Sequence, residues 1–480
     1  MFAALVTIWT KQVTEEPIKG DGVFIVVVAV NLLHHGAFSR EADNPDLLTM
    51  YREPLPVFAT AGATALTDMA FGPAHPSAYE TGPRARWLKL QNVLWLALLC
   101  GAAFAITFRI TRSVAFAALT GVLSYAVFLY PALRYSGVDS LGTEISAAAL
   151  LMLASSSYAL AATQGKRAAF CAAGVLFGVL ALIKASTLYI ALVLAVLLLA
   201  FSLVRRTRPF EAVVSNTFVF IASMAVIVAP WMVRNWIQFD TFALAERGGL
   251  ALNHRALFND VNAVEYRGLF YVWAPSPLRD FTGRLLGFTS EDLRAGGRLS
   301  RLDARVLAPE NRAAVRAGRP QDATSIMAQS NAELARIRQA FIAQGYGQRA
   351  WVAADTHLRK RAVERMLNNP RGMLAVSLAT AWRGGVLLLP LFAVAFVFAW
   401  RARRPDLFAF CLPAFGFTVF YILFSHFEPR YGAPMTPIAL LACVVVLHRY
   451  FSALRDRLGA RQAVFAAAHE RKVPMRGALP

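Results

Sequence analysis

The sequence predicts an all-α integral membrane protein, a polytopic helix bundle, and three observations carry that prediction. The residues are 57% hydrophobic and only 16% charged, where a soluble domain carries about 25% charged residues. About nine apolar segments have the length and composition of membrane helices. Basic residues gather in alternate connecting loops, as they do in a chain that crosses a bilayer back and forth.

The predicted spans run over 88–108, 113–133, 141–163, 168–183, 187–204, 213–233, 386–400, 405–424 and 432–448. The fourth and seventh are short, which leaves their ends soft. Arg109 and Arg112 follow the first span, Lys166 and Arg167 the third, and Arg205, Arg206 and Arg208 the fifth. Arg401, Arg403 and Arg404 follow the seventh, and the tail beyond the ninth is basic throughout. The intervening loops hold fewer cations or balance them with acids. The positive-inside rule therefore puts the basic set in the cytoplasm and the other end of the bundle outside. The formal charge of +20 reports these loops and contacts with anionic lipid or phosphate, and implies no nucleic-acid partner.

Five regions follow from these spans: 1–87, 88–233, 234–385, 386–450 and 451–480. The first holds the stub of a first helix and a first outer loop with interfacial helices. Parity requires that loop to lie outside, and the apolar residues 1–9 read as the end of a helix that carries the chain there. The run 23–33 is too short to span, since eleven helical residues cover about 16 Å against a core of about 30 Å. A six-span bundle over 88–233 leads into an extracytoplasmic domain over 234–385. Long loops translocate regardless of charge, so its arginines do not hold it inside. In that mostly helical domain, Ser330-Asn331-Ala332-Glu333 has capping-box spacing, 296–322 reads as loop, and Asn368-Asn369-Pro370 marks a helix stop. A three-span bundle and a basic cytoplasmic tail complete the chain, which is expected in the cell (inner) membrane with its active face outside.

Cys100, Cys171, Cys411 and Cys443 all lie in apolar segments without metal or redox spacing and read as small buried hydrophobes. His34 and His35, adjacent on a helix, do not share a face and make a poor metal pair.

The topology gathers polar residues from distant parts of the sequence at the outer face: Asp21, His34, His35, Arg52, Glu53, Arg134, Asp139, Glu144, Lys184, Arg234, Asn235, His426, Glu428 and Arg430. Asp21, ahead of a short apolar run, is costly to hold at a bundle mouth unless it is used. Glu144 stands in Thr143-Glu144, where it either favours a helix N-terminus or serves the site. Lys184 in Ile183-Lys184-Ala185 either snorkels or binds phosphate. Arg430, after Glu428-Pro429, is either an anchor paired to Glu428 or a two-pronged phosphate clamp.

With these residues in place, the chain resembles the lipid-phosphate-sugar glycosyltransferases of the C-type membrane fold, nearest the protein-mannosyltransferase and aminoarabinose-transferase-like superfamily. The resemblance rests on Asp21-Gly22 with Asn31-Leu32-Leu33 and Gly36-Ala37-Phe38-Ser39, on Arg52-Glu53-Pro54-Leu55-Pro56, and on Pro230-Trp231-Met232-Val233-Arg234-Asn235-Trp236. Arg361-Ala362-Val363-Glu364-Arg365 with Asn369-Pro370, and Glu428-Pro429-Arg430-Tyr431, continue it in order. The resemblance implies Asp21 as the catalytic aspartate, Glu144 as a second acid, and Arg430 at the lipid phosphate. Arg52, Lys184, Arg234, Glu428 and Tyr431 complete the expected substrate contacts. Gly22 stands where a second acid is common, and the tyrosine expected between Leu55 and Pro56 is absent.

The implied reaction transfers a sugar from a polyprenyl-phosphate donor to a lipid, glycan or protein acceptor outside the membrane. No motif demands a cofactor or metal, although Asp21 and Glu144 could share a divalent ion. A transporter or lipid-linked-sugar flippase is the competing class. It would place charges mid-span and show internal repeats, whereas the polar groups here stand at span ends.

Overall fold

The computed structural model describes residues 7, 11–129, 137–205, 209–294, 296–302, 313–314, 317–319, 322 and 324–470. The predicted first-helix stub lies almost wholly outside these residues, as do Arg134 and much of the expected loop over 296–322. Among the described residues the chain is helical, and its single β-bridge joins Ser39 to Leu48.

The segment ahead of the predicted spans forms two helices, α1 (Asp21–His35) and α2 (Pro54–Phe71). Pro54 and Pro56 sit in the first turn of α2, where a missing N–H costs nothing. His34 Nε2 meets Asp68 Oδ2 at 2.7 Å, so this histidine ties α1 to α2.

The membrane bundle follows as α3 (Gly82–Thr111), α4 (Val114–Val127), α5 (Glu144–Gln164), α6 (Arg167–Ala181), α7 (Thr187–Arg205) and α8 (Phe210–Phe239). It is completed by α15 (Leu388–Arg401), α16 (Pro405–Phe424) and α18 (Thr436–Glu470), with the single turn α17 (Pro429–Gly432) between the last two. A helix coincides with each predicted span, but length and composition qualify only five of them as crossing alone: α3, α5, α8, α16 and the Thr436–Ala460 part of α18. Helices α4, α6 and α7 are shorter, and α15 qualifies only as a pair with the preceding helix, α14 (Pro370–Gly385), from which it is bent by 89°. The short seventh apolar run has this cause: its apolar path continues into a helix lying nearly at right angles to it.

Helix α5 is the axis of the bundle, with most of its residues buried, while α3 and α8 present large apolar side chains such as Leu94 and Val226 outward. Helices α6 and α8 approach closely because α6 carries Gly174 and Gly178. A Cβ at Gly174 would stand 2.2 Å from the Phe220 carbonyl oxygen, and one at Gly178 2.7 Å from Ile227 Cβ. Without a hydrophobic drive between helices in lipid, such backbone approach supplies the packing.

Between the two parts of the bundle lies a helical segment of α9 (Gly248–Leu257), α10 (Ala263–Val272), α11 (Arg279–Leu286), α12 (Ile326–Ala343) and α13 (Ala350–Asn368). It has its own core, centred on Phe258, Leu269, Trp273, Phe288 and Leu299. The capping box read at Ser330-Asn331-Ala332-Glu333 is not one. Helix α12 begins earlier, and Ser325 caps it by accepting from the Ala328 N–H at 3.2 Å. Ser330 is buried within the helix, where its hydroxyl accepts from Asn253 at 2.8 Å, and Glu333 pairs with Arg361. The stop at Asn368-Asn369-Pro370 is present: α13 ends at Asn368, and Asn369 caps α14 by accepting from the Gly372 N–H.

Candidate active site

At one end of the bundle the starts of α1, α5 and α9, the turn between α6 and α7, and the segment joining α16 to α17 bring their polar residues together. Asp21 is the first residue of α1. Arg52 Nη2 donates to its Oδ1 at 2.7 Å, and Arg247 Nη1 lies 3.4 Å from the same oxygen. Arg430 Nη1 donates to Oδ2 at 3.3 Å. One carboxylate therefore faces three guanidiniums drawn from positions spread across the sequence. Burial alone would raise the Asp21 carboxyl, but Arg52, Arg247 and Arg430 outweigh it and hold the group well below the usual carboxylate range.

Each guanidinium has its own support. Arg52 and Arg247 both lie over the Tyr51 ring, at 5.1 and 4.9 Å from its centroid. The Arg52-Glu53-Pro54 segment is pinned to the α6–α7 turn: the Leu55 N–H donates to the Leu182 carbonyl at 3.0 Å, and Glu53 accepts from the Ala185 N–H at 3.4 Å. Arg430 Nε donates to Glu428 Oε2 at 2.9 Å, and its Nη2 lies 3.4 Å from the Tyr431 hydroxyl. Burial would raise the Glu428 carboxyl, but the hydrogen bond from His426 and the charges of Arg383 and Arg430 hold it well below the usual range. His426 Nε2 is 3.5 Å from Glu428 and 3.4 Å from the Tyr431 hydroxyl, closing a polar cluster around Arg430.

Glu144 and Lys184 form the adjoining pair. Glu144, nearly inaccessible, opens α5, and its Oε1 accepts from Lys184 Nζ at 3.4 Å. Burial would lower the Lys184 ammonium, but Glu144 prevails and raises it. The Lys184 ammonium also sits 6.0 Å from the Tyr431 ring centroid, and the charge of Glu144 contributes at Arg430. The two groups of residues are thus neighbours. Beside them a small cleft has a mixed lining, with Leu55, Trp95 and Ile183 facing Thr60, Gln91 and Asn92.

Arg234 stands apart from this ring. It donates to the Thr49 carbonyl at 3.0 Å and to Asn235 Oδ1 at 2.8 Å, over the faces of Trp231, Phe38 and Phe239. The Pro230–Trp236 run works as a clamp on the chain leading to α9. Asn235 Nδ2 donates to the Ala243 carbonyl at 2.7 Å, Trp231 Nε1 donates to that of Leu244 at 3.1 Å, and the Glu246 N–H donates to the Met50 carbonyl at 3.1 Å. These bonds fix the residue that follows, Arg247, against Asp21. Asp139 is likewise apart, held by Lys89 at 2.9 Å.

Sequence reasoning missed Arg247, which sits among many arginines of the same region with no local pattern to single it out. Tyr51 and Tyr421 were also missed; Tyr421 lies within an apolar span and meets the Ser186 hydroxyl at 3.3 Å. A Cβ at Gly249 would stand 1.9 Å from the Asp355 carbonyl oxygen, which marks a backbone close approach at the start of α9.

Gly22 has a physical reason as well. A Cβ there would meet Ile18 Cγ2 at 2.7 Å and both Leu141 Cβ and its carbonyl oxygen at 3.1 Å. A second acid beside Asp21 has no room. Among the described residues, no group of three or more His, Cys, Asp or Glu side chains is arranged to hold a metal ion.

No protein-family model matches the sequence, and no curated protein matches it. Two solved structures do. The chain is similar to ArnT from Cupriavidus metallidurans bound to undecaprenyl phosphate and to the same protein in the apo state. Each is 15% identical with a TM-score of 0.37, and the match covers 93% of this chain and 76% and 75% of those chains respectively.

Proposed function

We propose that this chain is a membrane glycosyltransferase that moves a sugar from a polyprenyl-phosphate donor to an acceptor on the extracytoplasmic side, with inversion at the anomeric carbon. The observation that carries the reading is the ring of Arg52, Arg247 and Arg430 around the Asp21 carboxylate at one end of an apolar bundle. Three guanidiniums are more than one carboxylate needs. They suit a phosphate, which planar guanidiniums hold in two-pronged fashion.

In the resting site Asp21 holds the place of that anion. It is ionised and free of a proton, yet the same three charges make it a weak base. A donor phosphate entering the ring neutralises part of the guanidinium charge and so returns basicity to Asp21 when the acceptor hydroxyl needs a base. The proton passes from that hydroxyl to Asp21, the acceptor oxygen bonds to the anomeric carbon, and the carbon–oxygen bond to the phosphate breaks. The leaving phosphate takes the bonding pair and needs positive charge rather than a proton, which Arg430 supplies, while Arg247 holds the donor phosphate in the bound state. One displacement with one base inverts the centre. Lys184 and Glu144 border the reaction space, and Glu428, His426 and Tyr431 orient Arg430. Arg234 contributes indirectly, by positioning the segment that carries Arg247.

The test is turnover of a labelled polyprenyl-phosphate sugar by the purified protein in nanodiscs, with the Asp21→Asn variant as control. Release of polyprenyl phosphate together with a glycosylated acceptor supports transfer. Movement of the intact donor across a liposome membrane without bond cleavage would instead make the protein a flippase.

A further inference from the structure

The opposite end of the bundle holds a second pocket. Helix α3 starts beside the Asp21 end, where Asn92 reaches the loop ahead of α5, and runs 30 residues to Thr111. At about 1.5 Å per residue that is about 45 Å, more than the apolar core of a bilayer. Where α3 turns into α4 and meets α18, a cavity of about 420 Å³ is lined by Arg112, Ser113, Phe116, His448, Phe451 and Arg455, among others, with no carboxylate in its wall.

Three features of this cavity point to an anion. Arg112 and Arg455 place two permanent cations at its wall. His448, whose ring stands edge-on to Phe116 at 4.9 Å, keeps a buried Nδ1 with no hydrogen-bond partner. Helix α4 begins here, and Ser113 gives its first turn no side-chain cap, so the positive end of a 14-residue helix adds to the same field. Arg112 itself is held in the left-handed region at φ 56° as the cap of α3, which fixes the sharp turn at the pocket mouth.

The rim is of the other kind. Val114, Leu447 and Leu454 are exposed apolar residues on the helices that form the pocket, and Phe451 is an exposed ring at its edge. A soluble anion has no use for such a rim. A ligand with a phosphate head and apolar chains satisfies both parts at once. The geometry points to a binding site for the phosphate headgroup of an anionic phospholipid, seated between the α3–α4 turn and α18 in the leaflet opposite the Asp21 site. It does not depend on the transfer reaction. A lipid seated there bridges the α3–α4 turn to α18, whose path continues beyond the bundle to Glu470.

The test uses the full-length protein in detergent, titrated with dioleoylphosphatidylglycerol, with dioleoylphosphatidylcholine and inorganic phosphate as separate arms, read by native mass spectrometry and thermal shift. Wild type is expected to retain the phosphatidylglycerol adduct in preference to phosphatidylcholine. Arg112→Gln and Arg455→Gln should each weaken retention about tenfold, as loss of one charge-assisted hydrogen bond implies, while Arg112→Lys keeps most of it. Both arginines are exposed, so the lipid-free thermal midpoint should not move. Equal adducts in wild type and the double Gln variant would overturn the site. Equal protection by inorganic phosphate alone would overturn the lipid as its occupant.

Discussion

Arg247→Gln separates the two tasks given to the guanidinium ring. Arg247 lies 3.4 Å from Asp21 Oδ1, and about a third of the Asp21 side chain is exposed. Two unit charges at that distance interact by about 1 kcal/mol in water and about 5 kcal/mol at an effective dielectric constant of about 20. Solvent at Asp21 favours the lower part of that range, which corresponds to a rise of about 1 to 2 pKa units when Arg247 is removed. Arg52 and Arg430 remain, so the carboxylate stays ionised throughout the working range and kcat should hold or rise slightly. The donor phosphate, by contrast, loses one charge-assisted hydrogen bond, and its KM should rise by about 10- to 100-fold. The assay is initial-rate turnover of a labelled polyprenyl-phosphate sugar in nanodiscs from pH 5 to 8, with kcat and KM resolved separately. A lost kcat with an unchanged KM would refute the reasoning, because Arg247 would then act on the chemical step and not on the phosphate.

Asp21→Asn should reduce transfer by at least about 100-fold, the usual contribution of a general base, with expression and membrane insertion unchanged by immunoblot of membrane fractions. Gly22→Asp should destabilise the start of α1 by about 1–3 kcal/mol through overpacking against Ile18 and Leu141, read as a lowered thermal midpoint. Lys89, inaccessible to solvent, donates to the carbonyls of Thr14 and Glu16 at 3.1 and 2.8 Å as well as to Asp139. Lys89→Met should therefore cost about 1–3 kcal/mol by leaving these acceptors unpaired, detectable as earlier proteolysis of the N-terminal segment. Glu246 is pushed up from 4.5 to about 7, chiefly by burial. Its folded state favours the protonated acid, so stability is lost as pH rises from 4.5 through about 7. Glu246→Gln should raise the thermal midpoint at pH 8 and leave it nearly unchanged at pH 5; equal shifts at both pH values would contradict this.

Long-range hydrophobic patterning made the bundle legible, because a lipid-facing helix must be apolar wherever it touches lipid. The helices of the predicted spans are present, and so is the stop read at Asn368-Asn369-Pro370. Span length was less legible. The run 386–400 gave no sign that its partner α14 meets it at 89°, since the bend depends on packing against the segment joining α16 to α17: a Cβ at Gly384 would stand 2.6 Å from the Phe427 carbonyl oxygen. At the site, Asp21, Arg52, Lys184 and Arg430 were visible because each interrupts an apolar context or stands in a distinctive local run. Arg247 was not, since one arginine among many in a polar segment carries no local mark. Arg234 stands in an equally distinctive Pro-Trp-x-x-Arg-Asn context, and in the structure it holds the Thr49 carbonyl and Asn235 rather than Asp21.

That clamp makes the helical segment between α8 and α14 a working part of the machine. Arg247 is anchored on one side by Trp231 and Asn235 at the end of a membrane helix, and on the other it opens α9, whose first N–H groups at Gly249 and Leu250 donate to the Asp355 carboxylate of α13 at 2.9 Å each. One guanidinium of the Asp21 ring is thus suspended between the bilayer and a separately cored body. Any binding partner, antibody or substitution that tilts this body reaches the Asp21 site through the position of a single arginine. Such agents would change catalysis without touching the pocket and without disturbing insertion.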